Sequence, residues 1–198
     1  ADNLTVYAPG VEDVYGKKTV AKTYHYDGLE NVMEGANRPG HFDGVGTILE
    51  FLFKVINPDQ AFFGEKDFQQ LQIVKKLVEK QKWNIKIRGC PVEREPHGLA
   101  MSSRNERLSP EAREKAQLIY ASLQLAKKYF RQHSIKNTQK LVEQLFEKEP
   151  DFELEYFTIA SEETLKPVTR KYKNHHYRGF IVAHIEGVRL IDNTALYS

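Results

Sequence analysis

Cysteine is almost absent. Cys90 is the only one in 198 residues, so no internal disulfide can form, which fits a reducing, cytoplasmic setting. A dominant charge sign is lacking too. Twenty-nine Lys and Arg against 27 Asp and Glu leave a formal charge of +2. That is too little to hold the protein on nucleic acid by bulk charge, though a local basic site stays open. Long hydrophobic runs are missing: Glu50, Lys54 and Asp59 interrupt the stretch from Thr47 to Phe63. Nothing approaches the ~18 continuous apolar residues of a membrane span. The opening Ala1-Asp2-Asn3-Leu4 has no basic region, no apolar core and no Met. It does not read as a signal peptide; it reads as the start of a chain cut from something longer, or processed. What is present suffices for a core: 40% hydrophobic, 11% aromatic and 28% charged residues exclude global disorder.

Two β-prone runs come first, Leu4 to Tyr7 and Thr19 to Tyr26. A Gly/Pro-rich stretch follows, with a short helical piece over Leu29 to Glu34. Val45, Ile48, Leu49, Leu52, Val55 and Ile56 then repeat at the spacing of one buried helix face. Asn57-Pro58 ends that helix, because a residue before proline is pushed out of the helical region. Gln60 to Phe63 reads as a strand, a second helix opens near Glu65, and Asn84 to Arg88 alternates as another strand. Helix, strand, helix, strand over residues 45–88 is the rhythm of a parallel α/β sheet. Glu93 to Leu108 has no periodicity and is long for a plain connection. Ser109-Pro110-Glu111 is a strong helix start, predicting a helix to about Arg131 and a second over Asn137 to Lys148. Strands are expected over Phe152 to Ile159, Gly179 to Glu186 and Val188 to Ile191. The composition changes from alternating α/β to α+β, which places a domain boundary near Asn105: residues 1–104, then 105–198.

Two segments carry chemistry. Phe63-Gly64-Glu65-Lys66-Asp67 sits at a strand-to-helix turn, where a glycine admits a ligand to the backbone and free N–H groups favour an anion. Lys66 adds a full charge, Asp67 can accept from ribose hydroxyls, and Gln70 shares their helical face. Solvated charges on a tight turn explain the same spacing. Gly98-Leu99-Ala100-Met101-Ser102-Ser103-Arg104-Asn105 offers two hydroxyls and a guanidinium for a polyphosphate; a polar linker ahead of the Ser109 cap is the plainer reading. Each segment supplies half of a phosphate site.

These two segments, with Glu34-Gly35-Ala36-Asn37-Arg38-Pro39-Gly40-His41-Phe42-Asp43-Gly44-Val45 before them and Arg189-Leu190-Ile191-Asp192-Asn193 after, closely resemble the pantothenate synthetase (pantoate–β-alanine ligase) family. The matches keep their order and cover essentially the whole chain. The resemblance implies part of a Rossmann-like nucleotidyltransferase parallel sheet, then a small α+β C-terminal domain with a short antiparallel sheet. It implies an ATP-dependent amide ligase that condenses pantoate with β-alanine through a pantoyl adenylate, with Mg²⁺ accompanying ATP, working as a homodimer without nucleic acid or membrane. Gly64, Glu65, Lys66 and Asp67 inherit ATP binding, Lys66 at phosphate and Asp67 with Gly64 at the ribose. Met101, Ser102, Ser103 and Arg104 match a mobile triphosphate loop, Glu93 a position whose backbone meets adenine, and Gln70 a pantoate ligand. Glu93 departs from the apolar residue often found in the family.

A larger departure is an absence. The family's ATP site also uses a His-x-Gly-His motif, and none of the seven histidines here stands in one. No catalytic residue is therefore assigned. The expectation is a C-terminal portion that lacks two strand–helix units, at least about 60 residues, and is inactive alone. The rival readings are a non-catalytic dimerisation or nucleotide-binding module, and a related nucleotidyltransferase with another acid substrate. Elsewhere, His175-His176 reads as a solvated loop pair, Cys90 as a small filler, and Arg38 with His41 as candidates to line a substrate entrance or to fix their loop.

Overall fold

The computed structural model describes residues 3–16 and 20–196. Packing divides the chain into two compact units, 1–63 with 69–88, and 64–68 with 89–198.

The first unit holds α1 (Val11–Tyr15), α2 (Met33–Asn37), α3 (His41–Ile56), β1 (Gln60–Gly64), α4 (Phe68–Gln81) and β2 (Lys86–Cys90), the shared strand and helix ends included. β1 and β2 form a two-stranded parallel sheet with α4 as the crossover. α3 ends as the sequence predicts: Asn57 turns left-handed at φ 47° and its N–H caps the carbonyl of Phe53, directly before Pro58. Phe53, Val74 and Val78 make the core, flanked by Leu49, Phe63, Trp83, Ile85 and Ile87. The alternation of Ile85 and Ile87 thus faces inward as expected, although β2 begins two residues later than the alternation suggests.

The two N-terminal runs are not strands. Leu4 to Tyr7 pairs with no strand among the described residues, and Leu4, Val6 and Tyr7 are exposed. Thr19 lies outside the described residues. From Val20 to Tyr26 the chain forms no strand, and side chains rather than a neighbouring strand take three of its N–H groups. Lys22 N–H donates to Thr47 Oγ1, Tyr24 N–H to Asp43 Oδ1 and Tyr26 N–H to Glu30 Oε1, at 2.8, 2.9 and 3.2 Å. The residue types are those of a strand, but no partner strand is present among the described residues. Gly46 makes room for the segment, since a Cβ there would fall 2.2 Å from the Tyr26 hydroxyl and 2.8 Å from the Tyr24 ring.

Glu50 anchors this segment to α3. Lys22 Nζ and the Tyr24 hydroxyl both donate to its buried carboxylate, as does Lys54 one turn on. Burial alone would raise the Glu50 pKa, but hydrogen bonds from Lys22, Lys54 and Tyr24 outweigh it and hold the carboxyl at about 2.

The second unit is an antiparallel sheet, β3 (Phe152–Ser161), β4 (Tyr177–Ile185) and β5 (Val188–Leu196), in that order with β4 central. α5 (Pro110–Lys115), α6 (Gln117–Phe130) and α7 (Ile135–Phe146) precede it. Ser109 caps α5 as predicted, accepting from Ala112 N–H, with Pro110 at the first helical position. The single helix expected to Arg131 breaks at Ala116, and α7 starts two residues early because Ser134 caps it. β4 and β5 join through Glu186-Gly187, both at positive φ (49° and 72°), a two-residue hairpin turn. Both strands run longer than the sequence predicts. The aperiodic stretch from Glu93 packs with this unit through Leu99 and Leu108, so the division by packing falls after Arg88, earlier than the composition change near Asn105. No helix among the described residues is long and apolar enough to cross a membrane.

The depressed Glu50 pKa fixes a pH dependence. Its stabilisation is complete above the ordinary carboxylate pKa near 4.5 and is lost as pH falls toward about 2. Glu50→Gln should remove about 1–2 kcal/mol of that loss, its lysine partners being solvent-screened. Urea unfolding of both proteins at pH 6 and pH 2.5 checks this; an equal acid loss in the two contradicts it.

Candidate functional site

Successive residues of a strand point to opposite faces, and β5 uses both for polar work. Val188, Leu190 and Leu196 lie in the core that the sheet shares with α6 and α7. Asp192 points to that same face and is buried. A buried carboxylate must be paired, and Arg94 pairs it with two bonds, Nη1 to Oδ2 at 2.7 Å and Nη2 to Oδ1 at 3.1 Å. The guanidinium also lies 4.0 Å over the Tyr120 ring and donates to the carbonyl of Gly98.

That arrangement organises the loop from 93 to 105. Glu95 N–H donates to the Leu99 carbonyl, Gly98 N–H to that of Glu95, and Met101 N–H to that of Glu93. Gly98 has φ +105°, and a Cβ on it would meet the Tyr120 ring at 2.5 Å. This glycine is required by the chain's own packing. Asn105, buried, donates to Glu95 Oε1 and the Ala100 carbonyl. The Arg113 guanidinium, on the other Glu95 oxygen, is the main cause holding that carboxyl below the usual range, against its burial. Ser102 then accepts from Arg104 N–H and opens a short 3₁₀ turn, Ser103–Arg107.

Asn193 points to the other face, where it meets the Gly64-Glu65-Lys66-Asp67 turn. Its Nδ2 donates to the carbonyls of Glu65 and Lys66, both at 2.9 Å. Its Oδ1 accepts from Arg178 Nη1 at 2.6 Å. The Arg178 guanidinium lies 3.8 Å over Phe68 and is tied to Glu162.

Lys66, Ser102, Arg104, Asn105 and Arg189 line one small cleft. Lys66 forms no ion pair with the described residues. Arg104 donates to the Arg189 carbonyl. Arg189 itself grips Glu155, which also binds His184; Arg189 is the main cause holding that carboxyl at about 2. Two cations and a hydroxyl thus border one opening, which is floored by Leu99, Ala100, Ile119, Leu190 and Ile191 and has room for about one water.

The other sequence candidates fall as follows. Gly64 has an ordinary extended φ and open space where a Cβ would stand, so the fold itself does not require glycine there. Asp67, Met101, Ser103 and Glu93 are exposed and Glu65 is half-buried. Gln70 belongs to the first unit and is half-buried on α4; its neighbour Gln69 is the structural one, bonded to Leu29, Val32 and Glu34. Arg38 and His41 bond each other at 3.2 Å beside a cleft lined by Tyr24, Glu30 and Asp43. Among the described residues no cluster of three or more His, Cys, Asp or Glu could hold a metal ion. Sequence reasoning gave no role to Arg94, Asn105, Arg178, Asp192 or Asn193. The available signal was the adjacent Asp-Asn inside a predicted strand.

A parallel β-α-β piece, followed by an antiparallel unit that gathers Lys, Arg and Ser at one cleft, has the marks of an enzyme acting on a phosphorylated substrate. Residues 1–195 match the pantoate-beta-alanine ligase family. The pantothenate synthetase of Flavobacterium psychrophilum is 54% identical over 193 residues, 98% of this chain and 68% of that protein. That of Christiangramia forsetii is 51% identical, over 98% and 69%. The crystal structure of pantothenate synthetase from Thermus thermophilus superposes with a TM-score of 0.87 at 37% identity, covering 96% of this chain and 68% of that one. Pantoate-beta-alanine ligase from Francisella tularensis, complexed with beta-gamma ATP and beta-alanine, gives 0.67 at 29% identity over 94% and 62%. The chain belongs to the pantoate–β-alanine ligase family.

The loop geometry is testable without ligand. Gly98→Ala should lower stability by about 2 kcal/mol or more, through positive φ and the Tyr120 clash. A denaturation midpoint matching the parent chain would contradict the loop conformation.

Proposed function

We propose that the cleft between the Lys66 turn and the Arg104 loop binds the triphosphate of ATP for the family's ligase reaction. The observation that carries the reading is the convergence of Lys66, Ser102 and Arg104 on one opening, with Lys66 unneutralised by any described carboxylate. In that reaction a carboxylate oxygen of pantoate attacks the α-phosphorus of ATP, and pyrophosphate leaves. The β-alanine amine then attacks the acyl carbon of pantoyl adenylate, loses a proton and expels AMP. Lys66 and Arg104 face the charge that grows on pyrophosphate, an electrostatic stabilisation of the oxyanion-hole kind. Ser102, Ser103 and the Met101 backbone complete the phosphate contacts.

The remaining assignments rest on the resemblance. Gly64 and Asp67 take the ribose, Glu65 lies alongside, and Gln70 takes pantoate. The Glu93 backbone meets adenine, although its carbonyl already accepts from Met101 N–H. Mg²⁺ fits as the counter-ion of the nucleotide. The cleft is lined by cations and holds no carboxylate cage, and Mg²⁺ is commonly held through phosphates and water. Residues 1–104 would be the C-terminal part of the nucleotide-binding domain and 105–198 the small domain. The working form is a cytoplasmic homodimer. The chain carries no His-x-Gly-His, so these 198 residues alone would bind nucleotide without completing the ligation.

Calorimetry tests the site. ATP should bind the chain, and Lys66→Ala should weaken it about 10-fold, the loss of one charge-assisted contact. An unchanged isotherm would remove Lys66 from the phosphate site. Pantothenate formation from ATP, pantoate and β-alanine by the purified chain would overturn the inactivity.

A further inference from the structure

We propose that Asp192 and Asn193 are positioning residues for this site: from opposite faces of β5 they hold its two halves, the Arg104 loop and the Lys66 turn, against one strand. The inference rests on the phosphate reading above and assigns roles to residues which that reading leaves unused.

Asn193 carries the sharper half of the argument. The carbonyls of Glu65 and Lys66 belong to the two peptide planes on either side of the Lys66 Cα. One side-chain amide holds both, at 2.9 Å each. Fixing both planes fixes the Lys66 backbone dihedrals and hence the direction in which its side chain leaves. The amide has only one workable orientation. Turning it over would set its oxygen against two carbonyl oxygens and its NH₂ against the Arg178 guanidinium. Arg178 in turn stacks on Phe68, two residues past Lys66, so the turn is gripped at its carbonyls and at its ring.

Asp192 does the corresponding work on the other face. Through Arg94 it reaches the Gly98 carbonyl, at the bend from which Met101 to Arg104 continue. Replacing a whole buried polar network by packed apolar side chains is often neutral or stabilising, although removing one partner alone is costly, so folding does not by itself demand polar groups here. What the polar pair adds is a fixed spacing between a cation on the turn and a cation on the loop, before any nucleotide arrives.

The test uses Asn193→Leu, close in shape, neutral and without donors. Calorimetry with ATP and with inorganic tripolyphosphate is run on the 198-residue chain, on Asn193→Leu, on Lys66→Ala and on the double variant. Hydrogen–deuterium exchange is read over residues 64–68. Asn193→Leu should weaken both ligands about 10-fold, yet change affinity less than 2-fold when Lys66 is already Ala, because it acts through Lys66. Exchange should rise at 64–68 while the β3–β4 pairing stays protected. An equal loss on both backgrounds, or unchanged exchange at 64–68, overturns the positioning role. Absence of binding by the parent chain overturns the phosphate reading itself. If Asn193→Leu does not fold, Arg178→Lys carries the same readouts, since it removes the planar stack on Phe68 and keeps the charge.

Discussion

A carboxylate in the interior of a β-sheet must be neutralised, and the pairing of Asp192 with Arg94 has consequences well beyond β5. Removing one partner of such a buried pair costs about 3–5 kcal/mol, so the two move together or not at all. Arg94 stands at the start of an aperiodic loop, and its bonds to Asp192 and Gly98, with Tyr120 beneath, turn that loop into a fixed structure. The loop delivers Ser102 and Arg104. Asn193, next along the strand but on the other face, does the same for Lys66. The proposed phosphate site is therefore built from segments far apart in sequence that share one strand as their reference.

The rest of the second unit serves that strand. β4 lies between β3 and β5, and α6 and α7 cover the face that Asp192 enters. Tyr120 belongs to α6, so the helix that seals the core also supplies the ring under Arg94. On the opposite face, Phe180 and Arg178 of β4 flank Phe68. The first unit has its own logic: Glu50 and the side chains of Thr47 and Asp43 bind an irregular segment that has no strand partner among the described residues.

Much of this was legible in the sequence. The i, i+3, i+4 spacing gave the helix α3, and Asn57-Pro58 its stop, but not its buried face. Phe42, Gly46, Thr47, Glu50 and Phe53 are buried, none of the six spaced apolar residues from Val45 to Ile56 is, and Val55 and Ile56 are exposed. The helix–strand alternation gave β1, α4 and β2, and Ser109-Pro110 gave the start of α5. These depend on local rules, and local rules survive folding. Where the reading failed, distant residues decided. The run from Val20 to Tyr26 is rich in β-formers, but side chains of α3 and Glu30, not a strand, bond its alternate N–H groups. The need for glycine at position 98 was not legible, because Tyr120, 22 positions on, is what requires it. Lys66, Ser102 and Arg104, which line one cleft, were singled out from residue type and motif. Asn193 and Arg94 were not, because their value lies in contacts with carbonyls and a carboxylate that no sequence spacing encodes.

The central claim is that turn and loop form one anion site organised by β5. The most direct measurement is an amide ¹H–¹⁵N titration of the chain with ATP. The account predicts that the amides of 64–67 and of 101–104 shift together along one binding curve, with those of Asp192 and Asn193 responding at the same midpoint. Shifts confined to one segment, or two segments with different midpoints, would contradict it.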